Sequence, residues 1–326
     1  MALLEVRDLK VDIPTRRGRL KILDGISFDI AQGEVLGLVG ESGAGKSITG
    51  LAIIGLLEPP GRIADGEIRL EGRRIDRLPR EEMRKIRGAR IGTIFQDPLT
   101  SLNPLYTIGR QLIETIQTHT ELTNRQAEAR AVDLLHQVGI PAAQSRLNAY
   151  PHEFSGGMRQ RVVISLALCA DPVLIIADEP TTALDVSIQA QIIALLKRLC
   201  REHRTAILLI THDMGVIAET ADRVAVMYAG RIAELGPVAA VVNRPKHPYS
   251  AGLMGSIPTV ERRLDRLPQI PGSMPRPGSV PAGCAFAPRC DFTRDLCRRE
   301  RPELIETLET RCACFQYDPR WEKAHA

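Results

Sequence analysis

Two short segments of this chain combine residue types that can handle a polyphosphate. The first, GLVGESGAGKSITG, has the spacing G-x-x-x-x-G-K-[ST], with Gly40, Glu41, Ser42, Gly43, Ala44, Gly45, Lys46 and Ser47 in order. It lies between the apolar runs EVLGLVG and ITGLAIIGLL, so its expected context is strand, loop, helix. Glycines let the backbone turn tightly enough for successive N–H groups to converge on one phosphate, and the following helix points its positive end at the same anion. Lys46 adds a cation against the β- and γ-phosphates, and the Ser47 hydroxyl can coordinate Mg2+. An ordinary glycine turn is the competing reading, and the strand and helix flanking the loop disfavour it. In the second segment, VLIIADEP, an apolar run leads into Asp178 and Glu179. Asp178 can hold Mg2+ through water, and Glu179 can orient or deprotonate the attacking water. Two acids at a strand end by themselves more often make a solvated corner or a helix cap. Paired with a phosphate loop, they point to nucleotide hydrolysis.

These residues need a sheet to hold them. Up to about Gly236, short β-rich runs (EVLGLVG, ARIGTIF, VLIIAD, TAILLIT, RVAVMYAG) alternate with helical patterns, which predicts an α/β core with a largely parallel sheet. The strand signal disappears between Asp97 and Gly157, where segments such as NRQAEARAVDLLHQVG have helical periodicity. A helical subdomain inserted over 97–157 is expected. After Gly236 come Pro245, Pro248, Pro258, Pro268, Pro271, Pro275, Pro277 and Pro281, so regular structure should break there. The expected division is 1–236 as the nucleotide-binding domain, 237–283 as a Pro-rich connector and 284–326 as a small Cys-rich module.

With 326 residues and 44% apolar content, the chain can bury a full core. A net charge of +4 with interspersed signs does not call for a nucleic-acid partner. No apolar stretch reaches the roughly 18 residues of a spanning helix, because the run from Val162 to Ala177 is interrupted by Asp171 and Pro172. The N-terminal MALLEVRDLK alternates as a strand does and lacks the pattern of a signal peptide, so the chain is expected in the cytosol. There, the crowding of Cys284, Cys290, Cys297, Cys312 and Cys314 suggests a metal site before disulfides.

Four further segments carry a resemblance to the ABC ATPases, whose fold is a P-loop NTPase cassette with a mixed sheet. FSGGMRQR, with Ser155, Gly156 and Gly157, resembles the family signature. Gln96 in IFQDP resembles the Q-loop, Asp185 in TTALD the D-loop, and His212 in ITHD the switch histidine. The resemblance implies that Glu179 and His212 are catalytic, and that Ser47, Gln96 and Asp178 surround Mg2+. It also implies that Ser155 and its glycines reach the γ-phosphate of ATP on a partner cassette, so one chain cannot complete a site. There is one departure from the family: Ile13 stands where the base-stacking aromatic is expected, and Arg16 or Arg17 either covers adenine by a guanidinium contact or, the favoured reading, forms a solvated basic turn.

Finer resemblance, through QDPLTSLNP, HDMGVIAETADRVAVMYAGRIAELG, HPYSAGL and GCAFAPRC, is to the oligopeptide and dipeptide importers. Met158 in the signature resembles the first of their two ATPase subunits. The partners implied are a paralogous ATPase subunit, or a second copy, together with two transmembrane permease subunits and an extracytoplasmic solute-binding protein. The implied location is the cytoplasmic face of the inner membrane, held peripherally. Importers of nickel, glutathione or another solute share much of the cassette, and a soluble ABC ATPase without a permease is the alternative from another class. The cysteine spacing is not that of paired zinc knuckles. It resembles the importer cluster in which four cysteines bind [4Fe–4S], which implies Cys284, Cys290, Cys297 and Cys314, with Cys312 as the other choice for the fourth. Zinc and free thiols stay open.

Overall fold

Short apolar runs without alternation suit strands covered on both faces. In the computed structural model, which describes residues 2–16, 18–182, 184–256 and 269–323, each of the five runs forms a strand. The chain divides into two compact units. One comprises Met1–Leu3, Ile30–Val35 and Arg77–Ile210; the other comprises Leu4–Asp29, Leu36–Asp76 and Thr211–Ala326.

The first unit carries three parallel strands, Ile91–Ile94, Leu174–Asp178 and Ala206–Ile210, with Leu174 opposite both Ile91 and Ala206. No described residue between Asp97 and Gly157 is in a strand. Instead this region holds helices that include Ile108–His119 and Asn124–Gln137. The latter starts at a reciprocal cap that the sequence TNRQ encodes: Thr123 N–H donates to Gln126 Oε1 at 2.9 Å. Leu112, Ile116, Ala131, Leu134 and Leu135 recur at helical spacing and are buried. Each of the larger ones stabilises the unit by roughly 1.5–3 kcal/mol.

The second unit has two sheets. In the antiparallel one the order is Gly18–Ala31, Ala2–Thr15, Arg62–Leu70, Arg73–Arg74. In the other, Val35–Val39 runs parallel to Arg223–Tyr228, whose far edge pairs antiparallel with Arg231–Pro237. Arg311–Cys312 pairs antiparallel with that strand, and Ile305–Glu306 pairs antiparallel with Arg311–Cys312. The sheet is therefore mixed, parallel between Val35–Val39 and Arg223–Tyr228 and antiparallel from there outward. The connector is more regular than its proline content implies, with helices at Val238–Asn243 and Pro248–Gly255. Pro248 sits at the first helical position, where no amide donor is needed. No described helix is long and apolar enough to cross a membrane.

Glu234 ties these pieces together. Its carboxylate is fully buried and accepts from the N–H groups of Lys246 and His247 at 2.9 Å and from the Thr310 hydroxyl at 3.1 Å. His247 caps the helix Pro248–Gly255 by accepting the Tyr249 N–H on Nδ1 at 3.0 Å. Burial holds its imidazole far below the usual 6.5, at about 4. The unfolded chain takes up this proton first, so the stabilisation is complete above about pH 6.5 and is lost as pH falls toward 4. Between pH 7 and 5 the loss is about 2 kcal/mol. His247→Asn can still cap the helix but does not titrate. Its unfolding midpoint is expected to fall less between pH 7 and 5 than that of the native chain, and equal slopes would remove His247 from this role.

Candidate nucleotide site

The residues expected at the nucleotide are divided between the two units. In the second, the buried strand Val35–Val39 delivers the chain to the phosphate loop, and the helix Lys46–Ile53 follows. Gly40 has φ 150°, and a Cβ there would lie 2.3 Å from the carbonyl oxygen of Met227, so only glycine fits. Gly45 is the helix N-cap in the left-handed region. Lys46 is nearly buried, and its Nζ donates to the carbonyls of Gly40 at 2.8 Å and Glu41 at 3.1 Å. The ammonium therefore laces the loop to itself at the end where a phosphate's charge would be met. Ser47, one position into the helix, is exposed. Sequence reading gave no partner for Glu41. The structure supplies two: its N–H donates to the Tyr249 hydroxyl, and its carboxylate pairs with Arg289. His212 is exposed just before the helix Met214–Thr220, which Asp213 caps through the N–H groups of Gly215 and Val216.

In the first unit, Asp178 ends the strand Leu174–Asp178 and Glu179 leaves it with φ 47°, a conformation that costs a non-glycine residue about 1–3 kcal/mol and is concentrated at functional positions. The Glu179 N–H is anchored on the Ile210 carbonyl at 2.8 Å. Its Oε2 accepts from Gln96 Nε2 at 3.0 Å and from the Thr182 hydroxyl at 2.8 Å. The structure thus brings Gln96 and Glu179 together. It adds Thr182, which only its place in the turn after DEP could have flagged. Two donors on one oxygen hold the carboxylate as an oriented acceptor, the state a base for water requires.

Ser155 caps the helix Gly156–Leu168 by accepting the Met158 N–H at 3.3 Å, and both it and Gly156 are exposed. At Gly157 a Cβ would come within 2.8 Å of Ile188, so glycine lets this helix pack against Val186–His203. Asp185 caps the latter. Hydrogen bonds from the Ile188 N–H and the Ser187 hydroxyl hold its carboxyl below the usual range. Ile13 is half-buried in its strand and Arg16 is in an exposed turn; Arg17 lies outside the described residues.

Cys284, Cys290, Cys297 and Cys314 all line one small apolar cavity of about 20 Å³, beside Phe315 and Trp321. Cys312 is not among its lining residues; it is fully buried on the strand Arg311–Cys312, opposite Glu234. Burial raises the thiol of Cys284 above the usual range and pushes that of Cys314 up to about 12. Among the described residues no three His, Cys, Asp or Glu side chains are grouped to hold a metal ion as they stand. The four thiols share the wall of one cavity, and thiolates are the donors a cluster takes, but they are not gathered into a ligand set.

Over residues 23–182 the sequence matches the family described as ABC transporter, and over residues 233–297 the one described as the C-terminal region of oligopeptide/dipeptide transporters. The chain is similar to the oligopeptide transport ATP-binding protein AppD of Bacillus subtilis, at 47% identity over 97% of each chain. It is also similar to the dipeptide transport ATP-binding protein DppD of Escherichia coli, at 46% identity over 93% of each. Among solved structures it is similar to the dimeric ATP-binding cassette MJ0796 in a post-hydrolysis state bound to ADP and Pi. That likeness has a TM-score of 0.65 and 26% identity, and covers 72% of this chain and 98% of that one. With its two family segments in order and near-complete coverage by such relatives, the chain belongs to the ATP-binding subunits of the oligopeptide and dipeptide ABC transporter family.

Proposed function

We propose that this chain hydrolyses ATP to power the import of peptides through an ABC transporter, with residues 1–236 as the motor domain. The observation that carries the reading is the likeness to peptide-transport ATP-binding proteins along nearly the whole chain, together with a phosphate loop in the expected strand–loop–helix setting. In the mechanism, the N–H groups of the loop and Lys46 hold the β- and γ-phosphates of ATP. Ser47, Gln96 and Asp178 would hold Mg2+, which when bound would supply positive charge against the transferred phosphoryl group. Glu179, oriented by Gln96 and Thr182, takes the proton of the attacking water, and His212 contacts the γ-phosphate. Ser155, Gly156 and Gly157 serve the ATP of a partner cassette, a paralogous subunit or second copy, and Asp185 lies at that junction. The dimeric state of the solved neighbour supports such an arrangement. Two permease subunits at the inner face of the membrane receive the motion, and an extracytoplasmic binding protein selects the cargo.

The test is uptake by cells carrying Lys46→Ala in place of the native residue. Selective loss of labelled di- and oligopeptide uptake is the expected result. Unchanged peptide uptake with loss of nickel or glutathione uptake would leave the ATPase and overturn the cargo.

The reading extends to the cysteines. Cys284, Cys290, Cys297 and Cys314 would hold an iron–sulfur cluster, which when bound cross-links a module whose own apolar core is small, namely Ala287, Cys297 and Phe315. Anaerobically purified protein is expected to contain iron and acid-labile sulfide, both lost on Cys297→Ser. Zinc in their place, or neither, would refute the cluster.

A further inference from the structure

Glu41 is the residue of the phosphate loop whose chemistry opposes the loop's task. It places a carboxylate one residue from Ser42 and two from Gly43, where a polyanion must be seated. The C-terminal third of the chain holds it at both ends. Its N–H donates at 2.9 Å to the hydroxyl of Tyr249, which has no exposed surface. Its Oε1 accepts from Arg289 Nη1 at 2.8 Å, and the Arg289 side chain is only 6% exposed.

Arg289 is fixed in turn. Its Nε donates to the Pro271 carbonyl at 2.7 Å, and Nη1 reaches the Tyr228 hydroxyl at 3.3 Å. The rings of Tyr228, Tyr249 and Phe286 pack around the pair, with centroids 4.6–5.4 Å apart. Met274 backs the next turn of the loop: its Sδ accepts the Ala229 N–H, and its Cε stands 3.3 Å from the place of a Cβ on Gly43. The Glu41 side chain keeps 29% of its surface, so water screens its charge only in part and the buried guanidinium supplies the fixed counter-charge.

We propose that Arg289 and Tyr249 are positioning residues of the nucleotide site, which makes the C-terminal segment part of the machinery that binds ATP. Tyr249 pins the first peptide of the loop so that the following N–H groups face the phosphates. Arg289 cancels the charge of Glu41 beside them. The proposal rests on the reading of Gly40–Ser47 as the phosphate loop.

The test is equilibrium ATP binding by the full chain and steady-state turnover of the full chain assembled with its partner cassette. Arg289→Met leaves the carboxylate uncompensated and is expected to raise both Kd and KM for ATP about tenfold with kcat little changed. Arg289→Lys keeps the charge and recovers part of the loss. Adding Glu41→Gln to Arg289→Met removes the charge that needed cancelling, so the double variant should bind ATP as Glu41→Gln alone does. A double variant as weak as Arg289→Met would show that Arg289 only supports the fold, and so would overturn its role, as would native KM in Arg289→Met. Should Arg289→Met fail to fold, Arg289→Lys and Tyr249→Phe carry the test, and native ATP affinity in both sinks the proposal. Lys46→Ala is run alongside. Native binding in that variant would defeat the phosphate-loop reading itself, whereas lost binding there with native binding in Arg289→Met defeats only the positioning role.

Discussion

Glu179→Gln slows ATP turnover by about a thousandfold while ATP binding changes little, the pattern expected when a general base alone is removed. The substitution keeps the side chain's length, and an amide oxygen can still accept from Gln96 or Thr182, which now meet at Glu179 Oε2 at 3.0 and 2.8 Å. What disappears is the negative charge and the capacity to take a proton from water. Because binding survives, ATP should hold two cassettes together, and the ATP-dependent mass increase with the partner subunit should persist for hours instead of decaying with turnover. A loss of turnover below tenfold would remove Glu179 from the role. Thr182→Val tests its orientation: loss of the hydroxyl removes one donor to the carboxylate, and a smaller fall in kcat than that of Glu179→Gln should follow.

Lys46→Ala abolishes hydrolysis by a different route, through binding. A charge-assisted hydrogen bond contributes about 1.5–3 kcal/mol. Loss of the ammonium from two phosphates should therefore weaken ATP by about a hundredfold. Its bonds to the carbonyls of Gly40 and Glu41 are also lost. Both carbonyls are on a loop whose backbone is held independently by the Tyr249 hydroxyl and by the bond from Gly230 N–H to the Ala44 carbonyl. The variant should therefore fold with a melting temperature close to the native one. Titration of ATP against the purified variant checks the affinity, and near-native affinity would exclude Lys46 from phosphate contact.

Different parts of the molecule were legible to different degrees. The phosphate loop could be read because it needs only consecutive residues: glycines at required backbone angles, then Lys46 and Ser47 at the start of a helix. The caps at Ser155 and Asp185 follow from the same local rule, as does the Thr123–Gln126 cap. The two helices after Gly236 were hidden by proline content, although Pro248 favours a helix start. The choice between Cys312 and Cys314 could not be settled by spacing. Cys312 faces Glu234 as part of a strand, and only the folded module brings Cys314 to the cavity shared by Cys284, Cys290 and Cys297.

By itself the sequence determined which chemistry the chain can perform and the local elements that carry it, because those depend on neighbours within one or two turns of backbone and on the burial period of each run. Tertiary structure alone decided which distant groups complete the site. Gln96 meets Glu179 across 83 residues, Tyr249 meets Glu41 across 208 and Arg289 meets it across 248. Such pairs are chosen by which buried surfaces come together when the chain packs, and a carboxylate driven into that packing must find a partner wherever the fold supplies one.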